Sequence, residues 1–195
     1  MPDGVAVSFA GPFSWPGTSD APSVFDADEA RQPGIYLWTV PVRDGHLLYY
    51  VGETGRSFGA RLLEHYKEHA AAMYHVYSPA EFARGEKVAL WPGRFDAVHR
   101  KSAKECIANY PQLCEQIRGL TFILRFFLAP LPCEDRIRRR IEAAIAKALY
   151  AAPGIVGAFQ DQGIRYDSRK NDEEPIGCVI TSPVPLLGLP ERFLA

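Results

Sequence analysis

Residues 61 to 69 read RLLEHYKEH and carry two kinds of chemistry in one helix-length stretch. His65 and His69 stand four residues apart, one above the other on a helix face, and Glu68 lies beside them. That trio has the spacing of a zinc-binding helix with a glutamate base. Arg61 stands one turn before His65 and offers an always-charged fork to an anion such as a phosphate. The two chemistries call for different companions elsewhere in the chain.

Companions for Arg61 come from both directions. Upstream, Tyr36 sits in GIY and Tyr50 in YVG, each near a glycine that lets another group approach the backbone closely. Downstream, Glu142 lies between Ile141 and AAI, an acid in an apolar stretch whose burial is costly unless it is paired or bound to metal. A salt bridge to Arg138, four residues earlier, is the structural alternative for Glu142. Hydrolysis of a phosphodiester needs an activated water, compensation for charge on the phosphoryl oxygens and help for the departing oxygen. A Mg²⁺ held by one carboxylate and waters supplies part of that.

The elements that must position these residues follow from pattern. GIYLWTV (34 to 40) and LLYYVGE (47 to 53) are rich in aromatic and β-branched residues and flank VRDGH, whose Asp44-Gly45 signals an antiparallel hairpin. Ser57 caps a helix in which Phe58, Leu62, Tyr66 and Met73 recur at helical spacing. LTFILRFFLAPLP (120 to 132) reads as a strand covered on both faces and ended by prolines. EDRIRRRIEAAIAKALYAAPG opens with acids and stops at Pro153-Gly154, which predicts a helix. Arg136, Arg138, Arg139, Arg140 and Lys147 make it locally basic, mostly as a solvated face with one or two phosphate contacts. VAVSF (5 to 9) and IGCVITS near the C-terminus are further strands. The segment from about 74 to 119 reads as an insertion in which Pro79, Pro92 and Pro111 prevent one continuous element.

In this order and spacing, GIY (34 to 36), YYVGETGRSFGARLLEH (49 to 65) and RRRIEAAIAKAL (138 to 149) resemble the GIY-YIG nuclease family over roughly half the chain. The resemblance implies an α/β (α+β) fold with a small, mainly antiparallel three-stranded sheet flanked by helices. It implies a metal-dependent endonuclease acting on DNA, with Mg²⁺ or Mn²⁺ as cofactor. Tyr36 and Tyr50 would be the motif tyrosines, Arg61 the active-site cation, His65 its neighbour and Glu142 the metal-binding carboxylate. Tyr36 would take part in water activation, or either phenol would orient the water or the phosphate. A phenol has an ordinary pKa of about 10, so either one serves as a base only if positive charge nearby lowers that value.

One family residue is missing. The Asn expected shortly after the Glu helix has no counterpart in APGIVGAFQDQG, where Gln160 and Gln162 are the only amides, and Asn171 comes too late. That departure leaves room for a GIY-YIG-type module that binds nucleic acid without cutting it. A third alternative is a zinc metallopeptidase using His65, Glu68 and His69, with Glu142 as a further ligand; it leaves Tyr36, Tyr50 and Arg61 without roles.

Composition bounds these readings. The 195 residues suit a single domain with a GIY-YIG-like core at 33–155 and accessory segments at 1–32 and 156–195. A net charge of −1 confines any nucleic-acid contact to a local patch. Cys106, Cys114, Cys133 and Cys178 form no C-x-x-C pair and read as reduced thiols. No basic leader precedes the first strand, and no apolar run approaches the roughly 18 residues of a membrane span. A cytoplasmic protein is the expectation, with no membrane partner.

Overall fold

The computed structural model describes residues 4–94, 96, 98, 101–161, 164 and 166–195. The chain begins with β1 (Val5–Ser8) and β2 (Ala10–Phe13), then forms the hairpin β3 (Gly34–Val42) and β4 (Gly45–Thr54), followed by helix α1 (Phe58–Ala70). The middle of the chain contributes β5 (Val76–Tyr77), α2 (Pro79–Phe82), β6 (Ala89–Trp91) and the long helix α3 (Ala103–Ile123). Next come β7 (Arg125–Pro130), α4 (Asp135–Ala151), α5 (Ile155–Phe159), β8 (Gly177–Thr181), β9 (Leu186–Leu187) and β10 (Arg192–Leu194). The result is a mixed α/β fold with a central sheet flanked by helices.

The expected three strands form the middle of a larger sheet. Its order is β2-β7-β3-β4-β9, antiparallel except where β9 runs parallel to β4. Strands from both terminal segments therefore extend the central sheet on its two edges. A second sheet, β1-β8-β10, packs nearby and a two-stranded ribbon joins β5 to β6.

Strand alternation divides the core into two layers. Tyr36, Trp38, Val40, Phe126 and Leu128 face α1 and α3, where Phe58, Leu62, Ile117 and Leu120 meet them. Ile35, Leu37, Phe127 and Ala129 face the other way, onto Ile141, Ile145 and Leu149 of α4. This two-sided burial explains why the strand sequences are nearly continuous in apolar residues.

Two boundaries differ from the sequence reading. Only the second half of LTFILRFFLAPLP is strand; Leu120–Ile123 complete α3, and the chain turns at Leu124. Leu120 and Thr121 are buried as α3 packs against the sheet, so tertiary contact selects helix for a run of β-type composition. Pro111 lies inside α3 and does not break it. Pro111 and Ile107, four residues before it, are both exposed, so the carbonyl that proline leaves without a helical partner meets water. In α1, Phe58 and Leu62 are core residues, but Tyr66 is exposed and Met73 lies beyond the helix end.

Candidate functional site

Gly52 makes the site sterically feasible. It lies directly across the hairpin from Tyr36, and a Cβ there would overlap the Tyr36 phenol and crowd the Tyr50 ring. A side chain at Gly34 would likewise strike the Ala129 carbonyl of β7. The two motif glycines thus hold strand spacing and ring placement.

A β-bulge sets the aromatic face. Trp38 pairs with Tyr50, but Thr39 pairs with Leu48, so Tyr49 is the extra residue. The bulge turns Tyr49 and Tyr50, consecutive in sequence, onto the same side of the sheet as Trp38 and Tyr36, while Leu48 and Val51 face α4. Sequence alternation alone would place Tyr49 and Tyr50 on opposite faces.

Helix α1 delivers the polar partners. The Ser57 hydroxyl caps it by accepting from the Ala60 amide, as the sequence predicts. Tyr36 is fully buried, and its hydroxyl lies 2.7 Å from Nε2 of His65. Nδ1 of His65 lies 2.8 Å from the Tyr74 hydroxyl, and Tyr74 donates to the Glu68 carboxylate. Burial pulls His65 down to a pKa of about 3, with Arg61 adding to the effect, so the ring is neutral and carries one proton. Because Tyr74 gives its proton to Glu68, its oxygen accepts from His65 Nδ1–H, and Nε2 is left to accept from Tyr36. The chain of donors therefore runs from Tyr36 through His65 and Tyr74 to Glu68.

Arg61 enters the same network from above, its Nε donating to the Tyr36 oxygen at 3.4 Å. It also meets the Glu64 carboxylate, at 3.3 Å. Glu64 is already gripped by Arg56 through two bonds of 2.7 Å. Arg61 is thus a half-buried cation that shares its carboxylate with a better-placed arginine. Burial outweighs Arg61 at Tyr36 and pushes the phenol up to about 12. Tyr50 is also raised, by burial and then by Tyr36. Both motif tyrosines stay protonated at neutral pH and act as hydrogen-bonding and stacking groups rather than as bases.

Glu142 reaches the site from α4. Its Oε1 accepts from the backbone N–H of Glu53 at 2.9 Å, so the pairing with Arg138 considered from sequence does not occur. Arg138 instead bridges Glu53, at 3.3 Å, and Asp135. Arg139 lies 3.7 Å from Glu53. The basic run is only partly a solvated face: Arg139 and Lys147 are exposed, but Arg138 is 3% and Arg140 7% exposed, and Arg136 binds Glu173 and Asp167. Of the amides considered for the missing Asn, Gln160 is buried and donates to the Leu48 carbonyl, and Gln162 lies outside the described residues.

The metal expectation is corrected here. Among the described residues no group of three or more His, Cys, Asp or Glu side chains is placed to hold a metal ion. Glu53, the carboxylate that acts most on Glu142, is itself committed to arginines. The Mg²⁺- or Mn²⁺-dependent endonuclease is overturned on that ground, and with it the metal-binding role of Glu142. The zinc peptidase alternative falls with it: His65 is bound at both nitrogens, and His69, buried against Trp15, points Nε2 to the Ile117 carbonyl at 3.4 Å.

The structure brings the side chains of Tyr36, Tyr50, Arg61 and His65 together, with Glu142 at the neighbouring corner. Sequence reasoning missed Tyr74 and set Glu68 aside; Tyr74 lies past the end of α1, and no spacing rule connects it to His65. All four cysteines are free thiols, and among the described residues no helix is long and apolar enough to cross a membrane. No protein-family profile, curated protein or solved structure matches the chain.

Proposed function

We propose that this chain is a nucleic-acid-binding module of the GIY-YIG type, which holds a strand phosphate at Arg61 in a function that calls for no metal. The observation that carries the reading is the state of Arg61: a permanent cation, oriented by the Tyr36 phenol and only weakly compensated by Glu64. A guanidinium so placed suits a phosphate oxygen pair. The order GIY hairpin, Arg61 helix, β7 and Glu142 helix supports the family assignment. The neutral, protonated state of His65 and Tyr36 supports binding over acid–base work.

Fluorescence anisotropy with labelled oligonucleotides tests it, at low and at physiological salt. Binding is expected to weaken steeply as salt rises and to fall at least tenfold in Arg61→Ala, with partial recovery in Arg61→Lys. Undetectable binding at low salt, or equal binding by folded Arg61→Ala, refutes the reading.

A further inference from the structure

Beside Arg61 the protein forms a half-open cavity of about 530 Å³. Its size falls within the range of small-molecule sites, roughly 300–1,000 Å³. Its walls are aromatic: Trp38, Tyr49, Tyr74 and Tyr77 line it, with Arg61 on one side and Asp161 among the remaining polar groups. The bulge after Trp38 is what brings Tyr49 onto this face beside Tyr50.

The cavity lining also includes ionisable side chains. Arg61 supplies a guanidinium and Asp161 a carboxyl, which burial raises above the ordinary range, with Lys87 opposing. A guanidinium and a carboxyl set among aromatic side chains match a planar heterocycle that carries hydrogen-bond donors on its rim and an attached anion.

We infer that the cavity takes an unpaired nucleobase of a single strand, stacked on the aromatic walls, while Arg61 at its side holds that nucleotide's phosphate. The inference rests on the reading of Arg61 as a strand contact. Every base presents a π-face, so aromatic walls select for bases without selecting sequence. A base still paired in a duplex cannot insert among the aromatic walls without leaving its stack, so the site discriminates against duplex. The phosphate alone would need none of the aromatic cavity.

The test compares three ligands on the intact protein at one salt concentration: a labelled dT15 strand, a 15-unit abasic strand with the same phosphates, and the dT15·dA15 duplex. The expected result is dT15 binding about tenfold or more tighter than either of the others, with quenching of tryptophan fluorescence by dT15 alone. Trp38→Phe is expected to lower the ratio of dT15 to abasic affinity. A ratio near one for the unaltered protein, or tighter binding of the duplex, overturns base insertion and leaves the phosphate contact standing. Binding of none of the three ligands overturns both.

Discussion

The Tyr36 hydroxyl donates to Nε2 of His65 across 2.7 Å, joining the first motif strand to helix α1 through two fully or almost fully buried polar groups. This bond fixes the tautomer of His65, because the same ring must then donate from Nδ1 to Tyr74. It also fixes where Arg61 sits, since the Tyr36 oxygen that gives its proton to His65 keeps a lone pair for Arg61 Nε.

His65 is accordingly expected to be neutral, Nδ1-protonated and silent to titration between pH 5 and 8. Its pKa is held near 3, chiefly by burial. A group depressed below its unfolded value of about 6.5 contributes stability present above that value and lost as pH falls through it toward the folded value. Nitrogen-15 NMR of the histidine ring reads both tautomer and titration. A midpoint near 6.5, or a proton on Nε2, contradicts the donor order derived above. Tyr36→Phe leaves Nε2 of His65 without its donor and is expected to cost about 1–3 kcal/mol in chemical denaturation.

Glu64 competes with any anion for Arg61, and Glu64→Gln releases both Arg61 and Arg56 from a carboxylate. Strand affinity is expected to rise three- to tenfold at low salt, with a steeper loss as salt is added because more phosphate contacts form. The exposed pair between Arg56 and Glu64 adds little to folding, so thermal stability should move little. Unchanged affinity and salt slope in anisotropy titrations would count against Arg61 as the strand contact.

What was legible beforehand is what local pattern encodes. The hairpin, the Ser57 cap and the helix bearing Glu142 each rest on short-range signals, and Tyr36, Arg61 and His65 follow because those elements order them. The illegible parts depend on contacts distant in sequence. Tyr49 changes face through a one-residue bulge that LLYYVGE does not announce, and Arg138 and Arg140 are drawn inward by Glu53 and by the backbone of the C-terminal segment, including the Ala195 carbonyl. Leu120–Ile123 have the composition of a strand, yet packing against the sheet keeps them helical. Pro111 shows the same limit from the other side, since solvent exposure removes most of the penalty that its position implies.

Pro111 still withholds a backbone donor from α3, and Pro111→Ala restores it. With the position exposed and the backbone helical, the exchange is expected to stabilise the protein by about 1–3 kcal/mol, the lower figure reflecting the freer unfolded chain. Thermal and denaturant unfolding measure it. A loss of stability would mean that the missing donor at position 111 does not weaken α3.

Glu142 gives the site its pH dependence. Burial, and next the Glu53 carboxylate, push its carboxyl from about 4.5 up to about 7, against the pull of the Glu53 N–H, Arg139 and Arg61. The folded protein therefore holds a proton that the unfolded chain has released between those two values. With the folded pKa above the unfolded one, stability falls as pH rises through that window and levels off beyond pH 7. Glu142→Gln keeps an oxygen for the Glu53 N–H and removes the charge, so it should flatten this part of the profile and stabilise the protein at pH 8 by about 1–3 kcal/mol. The same charge acts on Arg61: once Glu142 ionises, it offsets part of the cation that a strand would meet. Strand affinity should thus decline from pH 6 to pH 8 in the unaltered protein and hold nearly level in Glu142→Gln, measured by anisotropy at fixed ionic strength. Parallel profiles for the two proteins would disconnect Glu142 from the Arg61 site and leave it a purely structural acid beneath the hairpin.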